Sequence, residues 1–482
     1  MRNWTFVGAL LLLVLPEAGW SATYYIDFAS GSDSNSGTTQ AAPWKRAPGM
    51  NGFAGSYTHS AGDHFIFVGG VTWDSTIAKW NISNSGAPGT PDYYGVDKTW
   101  YKGSSWTRPI FDGGSQNPIP SALMKGYWYV TGSYITFDNL QVQNFGVSGI
   151  AQGNYGIWFW NDHDITVQNM VLAEQARIAL LFEAETGTTL SNFTFVGNDI
   201  SSCVWGIGIG AAAANTIYDQ VVIHDNVFHD FHSQIANGAH TDGVILFNGN
   251  HSNSYVGNVQ FYNNQMYGDW SRTDSSKAGV TALLYCSACG NAITIYNNYG
   301  SDTAATSGWV FEFYTMPQQG PVRIYNNSFK MDTTATGWGG FVYVNGEVDS
   351  LTIENNIFVG AASVYDSTNA TTTSNLVSDY NDFYAWQVNM FANMKGLTPP
   401  TISYSQFKAH GWEAHGLNSD PRFVSSTNLR LQRTSPAIGA GINLSPVFAT
   451  DAVAQPRPGT GHWDMGAYQQ TTPPSNVQSI AH

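Results

Sequence analysis

Residues 293–300 read ITIYNNYG, residues 322–329 read VRIYNNSF and residues 351–358 read LTIENNIF. Each stretch puts β-branched or aromatic side chains on alternate positions and then two Asn. Alternation with period two marks a strand with one buried face. Asn-Asn is turn chemistry, because Asn accepts the left-handed backbone region and bonds to nearby main chain. The same strand-then-Asn unit recurs upstream as ITFDNLQV (135–142), ITVQNMVL (165–172), FTFVGNDI (193–200), VVIHDNVF (221–228) and VQFYNNQM (259–266). Aligned on Asn139, Asn169, Asn198, Asn226, Asn264, Asn298, Asn327 and Asn356, successive units are 30, 29, 28, 38, 34, 29 and 29 residues apart. A repeat of this length with strand periodicity predicts a solenoid.

After a turn each unit carries a second apolar strand, such as GIWFW (156–160), GVILF (243–247) or GWVFEF (308–313). Two or three short strands per turn with polar corners predict an all-β fold, a single-stranded right-handed parallel β-helix with coils of about 30 residues. One coil cannot bury its apolar face alone, but stacked coils can, with strands about 4.8 Å apart. Equivalent Asn then stack at a corner as scaffold, their amides bonding along the stack. The period predicts regular coils over 126–364. Residues 23–125 read as N-terminal coils and cap, 365–470 as a C-terminal capping region, and 471–482 as a tail.

The chain has 482 residues, 50 Gly, 17 Trp, only 11% charged residues and a formal net charge of −15. That charge argues against nucleic acid as a partner. The start, MRNW followed by FVGALLLLVLP and EAGWSA, predicts a secretory signal peptide over residues 1–22. No later stretch is apolar enough to predict a membrane span, so a secreted, monomeric protein is expected. Cys286 and Cys289, in CSAC, would either bridge a small loop or remain two buried thiols; Cys203 is left over.

Both ends carry a resemblance. TYYIDFASGSDSNSGTTQAAPWK (23–45), SAGDHFIFVGGVTW (60–73) and NSGAPGTP (84–91) resemble the opening of secreted right-handed parallel β-helix proteins of the pectate-lyase-like superfamily. DPRF (420–423), LRLQRTSPAIGAG (429–441) and RPGTGHWDMGAYQ (457–469) resemble their closing segment. The resemblance is specific for fold. Its members include polysaccharide lyases, glycoside hydrolases, epimerases and surface proteins, so it implies a polysaccharide partner lying along one long face.

The two long spacings, 38 and 34, bracket insertions that carry HSQIANGAHTDG and WSRTDSSKAG. Extra loops on one side of a solenoid commonly build its binding face. Aligning the second strands on Gly156, Gly206, Gly243, Gly279, Gly308 and Gly339 puts Asp242 in a column of otherwise non-ionisable residues. It also sets Lys277 beside Thr241, near His240. For β-elimination from a uronic acid, Lys277 or His240 would be the base, and Arg272 or Arg177 would neutralise the carboxylate. Asp242, with Asp225 or Asp230, would hold a calcium ion. For hydrolysis, Glu183 or Glu312 would complete a carboxyl pair with Asp242. Alternation sets Trp158 and Trp160 on the face opposite Ile157 and Phe159, as an exposed sugar platform. His232 would contact substrate from the first insertion. A lyase acting on a uronic-acid glycan is the leading expectation, with a glycoside hydrolase and a non-catalytic carbohydrate-binding protein behind it.

Overall fold

The computed structural model of the chain describes residues 21–76, 79–116, 126–145, 155–174, 177–185, 187–231, 241–270, 281–301, 308–314, 320–331, 339–345, 348–360, 363–367, 375–386 and 391–470. Among these residues, three long sheets of 12, 11 and 12 strands run the length of the molecule. Each coil visits them in turn. Ile217–His224 lies in the first sheet, Val227–His229 in the second and Thr241–Phe247 in the third, after which Tyr255–Tyr262 re-enters the first. Neighbouring strands are parallel, except Thr401–Ile402, which closes the third sheet antiparallel to Ala392–Met394. This is a parallel β-helix.

The register follows from the apolar alternation. In the first sheet Ile165, Phe193, Val221, Val259, Ile293, Val322 and Leu351 are successive Cα partners, and all are buried in one continuous core. A one-residue slip would turn that whole column outward. Each buried side chain contributes roughly 1.5–3 kcal/mol, so register is held cooperatively along the stack.

The corner between the first and second sheets holds the Asn ladder. Asn198 Nδ2 donates to Asn226 Oδ1 at 2.9 Å, and the same step repeats through Asn264, Asn298, Asn327 and Asn356 to Asn381. The backbone N–H of each Asn bonds to the same acceptor one coil on. These buried bends thereby satisfy their polar groups without water. Asn139 and Asn169 do not belong to this ladder. They occupy the left-handed position one residue earlier, at φ 60° and 54°, while Leu140 and Met170 fill the ladder column of their coils. Asn recurs at both positions of the corner, so counting Asn merged two columns into one.

The last coil ends on the short helix Tyr404–Ala409, which opens with a Ser403 capping box and buries Phe407 against the core. The C-terminal segment then docks on the Asn corner, where Asn297 bonds to Thr450, Asn326 to Gly466 and Asn355 to Ile442. Cys286 and Cys289 form a disulfide at the turn from third to first sheet, and Cys203 is a buried free thiol. No helix among the described residues is long and apolar enough to cross a membrane.

Candidate functional site

The outer face of the third sheet carries two ladders of side chains. One runs Tyr155, Ile178, Trp205, Asp242, Ala282, Trp309 and Gly340. The other runs Tyr129, Trp158, Leu181, Gly208, Ile245, Tyr285, Glu312, Tyr343, Asp366 and Asn393. On either side of Glu312 in the chain, Phe311 and Phe313 turn into the core, so the strand period directs Glu312 outward.

Glu312 is fully buried all the same, and neither carboxyl oxygen accepts a hydrogen bond among the described residues. Tyr285 and Tyr343 are its Cα partners on the two flanking strands. The rings of Trp309 and Tyr343 lie 5.3 Å apart, and the exposed Tyr314 lies 6.2 Å from both Tyr285 and Tyr343. Burial, and then the charge of Asp242, push the Glu312 carboxyl from 4.5 up to about 9. At neutral pH this group keeps its proton. Burial with the charges of Glu312 and Asp242 likewise raises the Tyr285 phenol.

Asp242 stands two strands away on the same face, also buried, with Oδ1 accepting the Ala282 N–H at 3.1 Å. Asp366 lies two strands beyond Glu312 on the other side, pushed up to about 6 by burial and faced by the Asn393 amide at 3.3 Å. An unpartnered, protonated carboxyl sharing a face with a second carboxyl group two strands away has a proton to give.

Of the residues singled out from sequence, Asp242, Glu312, Glu183, Trp158, Trp160 and Arg177 all fall on or at the edge of this face. His240, Lys277, Arg272 and His232 lie outside the described residues. The alignment of Lys277 beside Thr241 does not hold, because Thr241 pairs with Thr281 and Asp242 with Ala282. Register there follows the inward Leu284 and Cys286, the partners of Val244 and Leu246. Trp158 is on the predicted face, but it is only 5% exposed rather than open. Tyr129 and Trp160 close over it, each 4.9 Å away, and its Nε1 donates to Glu183 Oε2 at 3.1 Å. Trp160 remains half-buried. Arg177 is stacked 6.0 Å above Tyr155 and 5.5 Å above Trp205.

Asp225 and Asp230 are elsewhere on the coil. Asp225 sits at the Asn corner with φ 55°, bonded to His224 Nδ1, and Asp230 follows the second-sheet strand, bonded to His229 and the Asp269 N–H. Asp242 belongs to the third sheet, and among the described residues no three His, Cys, Asp or Glu gather as a metal site. Tyr285, Tyr343, Trp309 and Asp366 escaped the sequence reading. Alternation along LLYC and FVYV marks Tyr285 and Tyr343, since core residues flank each; Trp309 lies out of phase, because Val310 and Phe311 both turn into the core. Asp366 stands in a stretch where the repeat is no longer visible in the Asn spacing.

No family model matches the chain. It is 26% identical over 185 residues to a lacto-N-biosidase of Bifidobacterium longum subsp. longum, a match covering 36% of this chain and 11% of that protein. Pectate lyase Pel9A shares the fold with a TM-score of 0.50 and 15% identity, over 94% of this chain and 98% of its own. The GH136 lacto-N-biosidase of Eubacterium ramulus superposes with a TM-score of 0.47 and 13% identity, over 77% of this chain and 67% of its own. Pectate lyase Pel9A is a right-handed parallel β-helix protein, and so is this chain.

Proposed function

We propose that this chain is a secreted glycoside hydrolase. Glu312 donates its proton to the leaving glycosidic oxygen, and Asp242 is the carboxylate that attacks the anomeric carbon or activates the water that does. The observation that carries the reading is the Glu312 carboxyl itself: buried, without a hydrogen-bond partner among the described residues, held protonated to about pH 9 and coupled to Asp242 on one outward face. Hydrolysis of a glycoside needs one carboxyl kept neutral as acid, and a second carboxyl group to act as nucleophile or base. The surrounding Tyr285, Trp309 and Tyr343 provide the low-dielectric wall that separates the two roles. The segment shared with a lacto-N-biosidase agrees with a glycan substrate.

The leading expectation from sequence, β-elimination of a uronate, fits this face less well. Its described residues bring Glu183, Asp242, Glu312 and Asp366, and the Arg177 guanidinium is stacked on aromatic rings. A uronate polymer would be repelled by the ionised members of that set. The lyase reading rests on Lys277, His240 and Arg272, and on a cation such as calcium. The discriminating experiment incubates the purified protein with neutral and acidic polysaccharides, with calcium and with chelator. Hydrolysis yields new reducing ends without the ultraviolet absorbance of an unsaturated uronate. If absorbance rises together with reducing ends, the hydrolase reading fails.

A further inference from the structure

We infer that the outer face of the third sheet continues from the carboxyl pair into an aromatic platform that binds a neutral glycan running along the helix axis. The inference deepens the hydrolase reading by naming its substrate class. Tyr155, Trp158, Ile178 and Leu181, with Tyr129, Trp160, Trp205 and Phe247 packed on them, form an apolar cluster separate from the core and on the outside of the sheet. Tyr129, Trp160, Trp205 and Phe247 each remain partly open to solvent.

The sequence flattens this surface. Gly210 lies beside Phe247 in register, and a Cβ there would stand 2.4 Å from the Phe247 ring. The missing side chain lets the ring lie down across the strand, 6.2 Å from Trp205, instead of standing out from it. A laid-down ring offers its face, and the apolar C–H face of a pyranose is the complement of an aromatic face. Beside the rings Glu183 is half-buried and oriented by the Trp158 indole N–H, placing a carboxylate acceptor where sugar hydroxyls would lie.

Two observations commit the platform to a neutral glycan. The first is continuity: Phe247 and Asp242 belong to the same strand, and Trp205 is the Cα partner of Asp242. The second is charge: a ligand passing from Trp160 to the neutral Glu312 crosses the carboxyl groups of Glu183 and Asp242 and meets one described cation, Arg177, already stacked on two rings. Three strand spacings separate the strand of Trp160 from that of Asp242, about 14 Å, and five separate it from that of Glu312, about 24 Å. The occupant is therefore several sugar units long, not a monosaccharide.

The test uses the full mature chain carrying Glu312→Gln as a non-hydrolysing trap, run in native gels containing β-glucan, xylan, galactan or polygalacturonate. We expect retardation by at least one neutral glycan and not by polygalacturonate. Adding Trp160→Ala or Phe247→Ala should each weaken it about tenfold at unchanged Tm, with Trp160→Phe restoring most of it. Retardation that persists in both variants, retention by polygalacturonate alone, or no retention by any glycan would overturn the platform. Binding in the trap is read without turnover. Ring-dependent retardation with no reducing ends from the wild-type protein would therefore support the platform and overturn only the hydrolase reading.

Discussion

Asp242 and Glu312 stand two strands apart on one face of one sheet, and the charge of Asp242 adds to burial in keeping the proton on Glu312. A buried carboxyl with no partner is costly to ionise, so this feature opposes folding at neutral pH even as it equips the face for proton transfer.

Glu312→Gln should separate the two effects. The folded-state value of Glu312 is raised from 4.5 to about 9. Its proton therefore stabilises the fold fully below the free-carboxyl value, and that contribution is lost as pH rises through about 9. By pH 7 the loss amounts to about 3 kcal/mol for a fully buried group. Replacing Glu312 by an amide removes the titration. The variant should melt higher than wild type at about pH 8, and the gap should shrink towards pH 5, while hydrolysis is abolished. A thermal melt at both pH values checks this, and a variant less stable at alkaline pH would contradict it.

The Asn corner predicts two costs for one type of substitution. Asn264 Oδ1 accepts from the N–H and the amide of Asn226, and its own amide donates to Asn298 and to the Ile223 carbonyl. Asn264→Ala leaves buried donors and acceptors unpaired and should cost about 3 kcal/mol. Asn169, outside the ladder and half-buried, gives one amide bond to Asp138. Asn169→Ala should cost about 1 kcal/mol, mainly from its left-handed backbone. Denaturant unfolding of both variants measures the difference.

That contrast shows what was legible in the sequence. The strand alternation and the spacing near 30 fixed a β-helix, because inward columns such as Ile293, Val322 and Leu351 must stack to be buried. The outward placement of Trp158 was readable for the same reason, whereas that of Asp242 breaks the alternation, since Val244 and Leu246 of the same parity turn inward. Three things were not legible. Two adjacent Asn-bearing columns look alike in one dimension. Glycine is a poor register mark where loops of unequal length precede the strand, and aligning on it missed the pairing of Thr241 with Thr281. And the protonation of Glu312 depends on burial by side chains of the two flanking coils, such as Tyr285 and Tyr343, and on the charge of Asp242, which no local window contains.

Glu413 ends the ladder. Its Oε1 accepts from Ser378 Oγ and from Asn381 Nδ2, and its Oε2 accepts from the Asn381 N–H. Burial pushes it up to about 7. The protonated form thus stabilises the last coil most below pH 4.5, an effect lost as pH climbs through about 7. Glu413→Gln should flatten the pH dependence of Tm over that interval. Glu413→Ala, which leaves the ladder open-ended, should lower Tm at every pH; an unchanged Tm in Glu413→Ala would remove the capping role.

His229 acts in the same direction by a different cause. Hydrogen bonds from its ring to Asp199, at 2.9 Å, and to Asp230, at 2.7 Å, favour the imidazolium and raise its pKa against partial burial. The stability it contributes is complete below its unfolded value of 6.5 and is lost as pH rises through the higher folded value. His229→Gln should therefore lower Tm near pH 5 and leave it little changed near pH 9, which a pair of melts would test.

The most direct test of the account measures the products of wild type, Asp242→Asn and Glu312→Gln side by side on a glycan that the protein cleaves. The account predicts reducing ends without uronate absorbance from wild type, and a loss of at least about a thousandfold in each variant while both remain folded. Product carrying uronate absorbance, or full activity in a folded Glu312→Gln variant, would contradict it.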